Sequence, residues 1–393
     1  MKRICLVRIL IACVLLQGAL SFSFAAKRIG PVSQYGELHA GRNADGMGQV
    51  YGSCAAYSTS GHEVQVKGMG LFWSIEPLSA KFWNPTLITD LVKKHNVQLI
   101  RAAMGVDEDW GQGNYFTKEL YYQKMMDDVV QAAIDNDIYV IIDYHSHKAH
   151  ENVDNAKKFF ERMAQKWGAF DNVIFDTFNE PTCVQNGNID CADTAQSGGY
   201  LGWPAIKDYS EQVLVTIRKY SDNMVIVGTP VWSQQPDKAI GNPVVDPANN
   251  VAYSFHYYAG AHSVRGMGGE VEKAIRSGLT IFVSEWGTDH PVLKGPVSSA
   301  NRLWLNWMDR NKLSSANWAF TSLVEDPGKQ GGGDGQGSSY FASGFNPDKP
   351  SSEWKYSESG KWVNANVFAK LPNKYTACKE YVPEGFFVSK TLK

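Results

Sequence analysis

Two glutamates sit where a pair of carboxyls could do chemistry. Glu180 closes the β-rich run 173–180 in Asn179-Glu180-Pro181, and Glu285 closes the run 279–285 before Trp286-Gly287. Carboxyls held about 5–5.5 Å apart can carry out double displacement at a sugar's anomeric carbon. One donates a proton and later acts as base, while the other attacks as nucleophile. That division needs one group protonated and the other ionised. Glu180, beside Asn179 and backed by His256, is expected to hold the proton; Glu285, near Arg101 and Tyr258, is expected to carry the charge. A lone glutamate is usually a salt-bridged structural residue, but two at opposed strand ends fit that description poorly.

Further polar residues gather at the ends of neighbouring β-rich runs. Arg101 ends one, Asp143-Tyr144-His145-Ser146-His147 another, and His256-Tyr257-Tyr258 and Asn317-Trp318 two more. A charged group at a buried strand end is costly unless it has partners or a task. The flat faces of Trp73, Trp232 and Trp318 can stack on pyranose rings, although core packing is the commoner fate of tryptophan. Trp110 has no assigned role, and Trp203 before Pro204 reads as the start of a helix. His145, His147 and His150 with Asp143 are also metal-ligand types at close spacing. Hydrogen bonding to sugar hydroxyls accounts for them without an ion, so neither metal nor cofactor is expected. The glycines of 331–337 lack the carboxylate ladder of a calcium loop.

These residues need a frame that brings distant strand ends together. From residue 64 the chain alternates β-rich runs (64–70, 97–104, 138–145, 173–180, 224–229, 251–258, 279–285 and 315–321) with helical segments. Apolar stripes at i, i+3 and i+4 mark the helices: Met126, Val129, Val130, Ala133 and Ile134; Ile206, Tyr209, Val213, Ile217 and Tyr220; Leu303, Trp304, Trp307 and Met308. Eight such repeats predict an α/β fold, a (β/α)8 TIM barrel over residues 64–370, with chemistry at the C-terminal ends of its strands. A doubly wound sheet is the rival, but no glycine-rich turn follows the first run. Residues 26–63 are expected to pack on the barrel as a small cap, 326–352 to form a long loop, and 371–393 to be a tail tied to the barrel.

Composition agrees with an ordered catalytic domain. The 393 residues are 44% hydrophobic and 20% charged, with a net charge of −2, which argues against nucleic acid or an anionic membrane as partner. Lys2, Arg3, the apolar stretch after Arg8 and Ser23-Phe24-Ala25 read as a signal peptide over residues 1–25, giving a secreted or periplasmic protein. Leu10-Ile11-Ala12-Cys13 also resembles a lipobox, although the apolar run continues past Cys13. Removing the segment leaves Cys54, Cys183, Cys191 and Cys378, an even set suited to disulfides. Cys183 and Cys191 flank a short polar loop and are paired on that ground, which leaves Cys54 for Cys378; four cysteines allow three pairings. No paired CxxC spacing supports zinc. A monomer is expected.

At this point the chain resembles a known family. Val173-Ile-Phe-Asp-Thr-Phe-Asn179-Glu180-Pro181 and Phe282-Val-Ser-Glu285-Trp-Gly287 are similar to the two catalytic-strand signatures of glycoside hydrolase family 5, and most closely to its bacterial endoglucanases. Leu71-Phe-Trp73-Ser, Ile100-Arg101-Ala-Ala-Met-Gly105, Val227-Gly-Thr-Pro-Val-Trp232 and Ala316-Asn-Trp318-Ala319 extend the likeness. The resemblance implies that Arg101 bonds the nucleophile Glu285 and that His145 and Asn179 position the reacting sugar. It also implies that His256 orients Glu180, Tyr258 contacts Glu285, and Trp318 forms a platform ahead of a cis peptide. The chain departs from the family after the last strand, where an expected Lys is missing and Glu325 stands as the nearby acid. Met69-Gly70 also replace a common His. The implied activity is retaining endo-β-1,4-glucanase on cellulose or related β-glucans. Mannanase, xyloglucanase and mixed-linkage glucanase are same-fold alternatives. A silent carbohydrate-binding barrel and a metal-dependent hydrolase are alternatives of other classes.

Overall fold

The computed structural model describes residues 28–182, 201–289, 297–323 and 338–378, together with the backbone of Val184–Gln185 and Asn188–Ile189. The signal-peptide reading, the Cys183–Cys191 pair and Glu325 lie outside the described residues. Eight parallel strands close into a barrel in chain order. They are β1 (Lys67–Leu71), β2 (Leu99–Gly105), β3 (Tyr139–His145), β4 (Val173–Asp176), β5 (Val225–Val227), β6 (Val251–Tyr258), β7 (Ile281–Gly287) and β8 (Ser315–Phe320). Two runs stop well before their expected C-terminal limits: β4 at Asp176 and β5 at Val227. The residues that follow them turn away from the ladder into the mouth of the barrel.

Helices α1 (Pro85–His95), α2 (Glu119–Asp135), α3 (Val153–Trp167) and α4 (Trp203–Ile217) follow the first four strands. A short turn, Pro230–Ser233, and a 3-10 turn, Pro236–Ala239, follow β5; α5 (Gly269–Arg276), α6 (Asn301–Arg310) and α7 (Glu358–Asn366) complete the ring. Asn84 caps α1 by accepting from the Thr86 amide, and Asn96 ends it in a left-handed conformation at φ 55°. The apolar stripes face the sheet, with two exceptions. Leu303 on α6 points outward because neighbouring Trp304, Trp307 and Met308 already fill the contact with the sheet, and Tyr220 beyond α4 turns its hydroxyl to Gln165 and Glu161 of α3.

Within the barrel, alternation along each strand makes a vertical gradient. The lower interior is apolar: Leu99, Tyr139, Ile141, Ile174, Ile226, Ala252, Phe282 and Ala316 pack together with Val32, Leu38, Val50 and Val64 from the N-terminal segment. That segment contributes the hairpin Leu38–Arg42 with Gly48–Gly52 beneath the barrel. One step up the same rows come Arg101, Asp143, Asp176 and Ser254, all buried. Burial grades from greasy floor to charged mouth.

The N-terminal segment and the last described residues meet below the barrel. Cys54 and Cys378 form a disulfide across 324 residues, and the Cys378 amide donates to the carbonyl of Ser33. Cross-linking positions so distant in sequence removes much freedom from the unfolded chain. Replacing Cys54 and Cys378 by Ser is expected to lower stability by about 2–4 kcal/mol. Thermal unfolding followed by circular dichroism checks this, and an unchanged midpoint would mean the bridge carries no stability.

Candidate active site

Arg101 organises the barrel mouth. Its guanidinium is fully buried and is shared out among four side chains from three other strands or their ends. Nη1 donates to Glu285 Oε2 at 2.8 Å, Nη2 to Asn179 Oδ1 at 2.7 Å, and Nε to Asp176 Oδ2 at 3.2 Å, with Asp143 Oδ2 3.0 Å from Nη2. Because Asn179 accepts from Arg101 through Oδ1, its amide NH2 is turned away from the guanidinium as a donor. The carboxylates hold Arg101 firmly cationic although burial opposes it. One cation does not balance every acid here. Burial raises both Asp143 and Asp176 to about 7, and the second oxygen of each is buried with no hydrogen-bond partner among the described residues.

Glu285 reaches this network through an irregularity in β7. Phe282 faces the barrel interior, so strict alternation would send Glu285 to the helix side. The register against β6 instead slips, from Ser254 opposite Phe282 to His256 opposite Glu285, which places one extra residue in β7. Both Ser284 and Glu285 then turn inward. Tyr258 donates its hydroxyl to Glu285 Oε1 at 2.6 Å. The ring fits because position 287 is glycine: a Cβ there would lie 2.2 Å from Tyr258 Cδ1.

Glu180 stands opposite, on the segment beyond β4. His256 Nδ1 lies 2.9 Å from its Oε1, and His256 Nε2 lies 2.9 Å from Ser284 Oγ, itself 2.7 Å from Ser254 Oγ. Burial keeps His256 below its ordinary pKa, hence neutral. The tautomer that satisfies both contacts carries its proton on Nδ1, donating to Glu180 and accepting from Ser284. On the other carboxylate oxygen, His147 Nε2 is 3.4 Å from Oε2, while His147 Nδ1 is 3.2 Å from Glu108 Oε1. Both nitrogens of His147 therefore face carboxylates.

Carboxylate oxygens of Glu180 and Glu285 and a nitrogen of His256 lie within 4.8 Å of one another. Two acids this close titrate as a pair. Burial and the charge of Glu180 raise Glu285 to about 8, against Arg101 and Tyr258. Burial also opposes ionisation of Glu180, but hydrogen bonds from His147 and His256 outweigh it and hold this group below the usual carboxylate range. The histidine bonds thus favour the ionised form of Glu180, while burial and the charge of Glu180 favour the protonated form of Glu285. Sequence reasoning counted His256 beside Glu180 and did not count His147 as a second partner.

The cleft above the pair has a volume of about 410 Å³ and is lined by aromatic rings and these polar groups. His145 is sandwiched edge-on by Trp73 at 4.1 Å and face-on by Trp318 at 5.5 Å, and its Nδ1 is 2.5 Å from Asp143 Oδ2. Burial keeps it neutral. The bond between Trp318 and Ala319 is cis. Trp232 reaches the cleft from a run of three left-handed residues, Val231, Trp232 and Ser233, with φ of 57°, 52° and 56°. Such geometry costs about 1–2 kcal/mol per residue. Ser233 Oγ donates to the Asn179 carbonyl and the Trp232 amide to that of Pro181, pinning the run to the Glu180 segment.

The histidines weighed as a metal cluster do not converge. His145 faces Asp143, His147 bridges two glutamates, and His150 stacks on Phe178. Trp110 packs against Trp73 at the rim, and Trp203 begins α4 with its indole bonded to the Asn242 carbonyl. Sequence reasoning passed over Asp176, Ser284, Glu108 and the cleft residues Gln234 and His262. For Asp176 a signal existed: an arginine on a barrel strand needs counter-charges, and acids lie at the same level on β3 and β4.

Residues 57–323 match the cellulase family, glycosyl hydrolase family 5. The chain is 37% identical over 261 residues to Endoglucanase Z of Dickeya dadantii, covering 66% of this chain and 56% of the relative. To an endoglucanase of Clostridium saccharobutylicum it is 34% identical over 275 residues, covering 68% and 55%. It thus spans about half the length of these curated relatives. Among solved structures, cellulase Cel5C_n superposes with a TM-score of 0.71 at 27% identity, covering 89% of this chain and 97% of that one. The catalytic domain of Thermobifida fusca endoglucanase Cel5A in complex with cellotetraose superposes with a TM-score of 0.65 at 24% identity, covering 86% and 99%, a likeness of fold.

Removing the shared cation should be severe. Arg101→Met is expected to destabilise the protein by about 3–5 kcal/mol, because it leaves buried acids unpaired. Urea unfolding near pH 7 checks this, and a stability within experimental error of the parent would show that the acids do not depend on Arg101.

Proposed function

The chain belongs to glycosyl hydrolase family 5, and we propose that within it this protein is a secreted, retaining endo-β-1,4-glucanase acting on cellulose or related β-glucans. One observation carries the mechanism: two carboxyls within 4.8 Å across an aromatic cleft, with unlike partners. That spacing suits double displacement, whereas inversion needs about 6.5–9.5 Å to admit a water between the groups. Glu285, fixed by Arg101 and Tyr258, attacks the anomeric carbon as Glu180 gives its proton to the leaving oxygen. The glycosidic bond breaks and a glycosyl–Glu285 ester forms. Water, deprotonated by Glu180, then attacks the ester, releasing the sugar with retained configuration and returning the proton to Glu180.

The remaining groups take supporting parts in this reading. Asn179 presents its amide NH2 toward the sugar, a bond that gains strength as the oxocarbenium ion develops. Trp318, backed by His145, forms the platform beneath the reacting ring, and Trp73 and Trp232 flank it on either side. Glu325 is the proposed contact for a sugar farther out. No cofactor enters. Export fits the Cys54–Cys378 bridge, and no helix among the described residues is long and apolar enough to cross a membrane.

Reducing-sugar release from carboxymethylcellulose tests the reading. Glu180→Gln and Glu285→Gln are each expected to reduce turnover by about 10³-fold or more while leaving the fold intact. Near-parental rates in either variant would sink the mechanism. Activity confined to mannan or xyloglucan would keep the chemistry and reject the sugar assignment. Proton NMR of the first product should show the β-anomer, and an α-anomer would refute retention.

The pair also fixes a pH limit. Whichever carboxyl carries it, one proton must be present for the reaction, so kcat/KM follows the singly protonated pair. With Glu285 raised to about 8, that proton is lost as pH climbs through this region. The expected profile falls about tenfold per pH unit beyond it. A rate that stays flat to pH 10 would contradict this.

A further inference from the structure

Each oxygen of the Glu180 carboxylate has its own imidazole, and the two imidazoles are differently supported. His256 meets Oε1 and is backed by the neutral Ser284 hydroxyl. His147 meets Oε2 and is backed by Glu108, a carboxylate from the loop after β2. The Trp110 indole donates to Glu108 Oε2 at 3.1 Å, and the His147 ring leans on Trp73 with centroids 5.4 Å apart. A histidine that binds sugar would present a free nitrogen to the cleft, but both nitrogens of His147 face carboxylates. We propose that Glu108 and His147 form a second carboxylate–imidazole arm on Glu180, opposite His256, which steadies the ionised form of Glu180 between proton transfers. The proposal rests on reading Glu180 as the acid/base.

The charges around the arm favour this role. On the β2 side stand Glu108, Asp107 and Arg101; on the β3 side His145, Asp143 and Lys148; across the cleft are Glu180, His256 and Glu285. Glu108 and Glu180 are the groups that bond His147, and with them it is held well above its ordinary pKa, although burial opposes the charge. The neutral His145 and His256 add no competing cation. Asp107 is engaged by the Ser146 hydroxyl and faces Lys148. A cationic His147 donating Nε2–H to Oε2 stabilises the Glu180 carboxylate that exists after the leaving group has taken its proton. When Glu180 deprotonates water in the second step, that contact weakens and re-forms on the next turnover. His147 and Glu108 are positioning residues in this scheme.

The arm has a signature that packing alone does not produce. Glu108→Gln keeps the shape of the side chain and removes its charge, so His147 becomes easier to deprotonate and Glu180 holds its proton to higher pH. The upper limb of kcat/KM on carboxymethylcellulose is expected to move up by about one pH unit. His147→Gln should move it equally, and the double variant no further, because both act through one path. Nitrogen NMR titration of the histidines in the full-length parent, with His147→Gln assigning the signal, should show His147 titrating above 6.5 and dropping by about a unit in Glu108→Gln. An unchanged His147 titration in Glu108→Gln overturns the proposal whether or not the protein is active. Additive shifts in the double variant, or a pH limb that stays fixed, do so too. A parent inert on every β-glucan instead overturns the functional reading, and the NMR titration still decides the arm.

Discussion

A guanidinium sealed inside a barrel cannot be left unneutralised, and most of the site follows from how Arg101 meets that requirement. A single buried cation in low dielectric would cost several kcal/mol without counter-charges. Here Asp143, Asp176 and Glu285 surround it and Asn179 fills the remaining sector. Each of those bonds fixes an orientation as well as offsetting desolvation. Glu285 is held by one oxygen, leaving Tyr258 to take the other. Asn179 is turned so that its amine end serves the cleft. The acids outnumber the cation, and the site therefore retains protons near neutral pH.

That cluster could not sit lower in the barrel. Below Arg101 every inward position is apolar, closed by the N-terminal hairpin and the disulfide-tied tail. The dry floor strengthens every charge interaction above it, since field lines cannot escape into water from beneath. It also explains why acids on β3 and β4 sit so far above ordinary carboxylate values. Stability is concentrated in the floor and the helix–sheet layer, and the mouth spends some of it on strain and surplus charge. The left-handed run at Val231, Trp232 and Ser233 belongs to the same pattern, held in place by carbonyls next to Glu180.

The strand–helix alternation made the barrel legible, because the periods of two and 3.6 differ plainly along this chain. The strand-end residues followed from the rule that barrels work at their C-terminal face. What could not be read is instructive. Strict alternation from Phe282 would turn Glu285 away from the cleft, and only the register slip against β6 corrects it. A bulge depends on how two strands pair, which one strand's sequence does not encode. Glu108 lies in a loop without periodicity and meets His147 only because the β2 and β3 ends adjoin. The outward Leu303 shows the opposite failure, an apolar residue that fits a stripe but finds its place on the sheet already filled.

Protonation is the property furthest from sequence. His256 and Arg101 alone would make Glu180 the acid and Glu285 the anion, and the resemblance to family 5 points the same way. The folded site adds His147 with its own acid and crowds Glu285 among Asp143, Asp176 and Glu180. These neighbours favour ionised Glu180 and protonated Glu285. The proposed mechanism needs only one proton on the pair and is compatible with either arrangement. A glycosidic oxygen arriving at Glu180 competes with His147 for the same carboxylate face and rewards the protonated form. In the proposed mechanism, esterifying Glu285 would remove its charge and with it the repulsion between the two carboxyls. Glu180 would then stand between two imidazoles in the ionised state that the proposed activation of water requires.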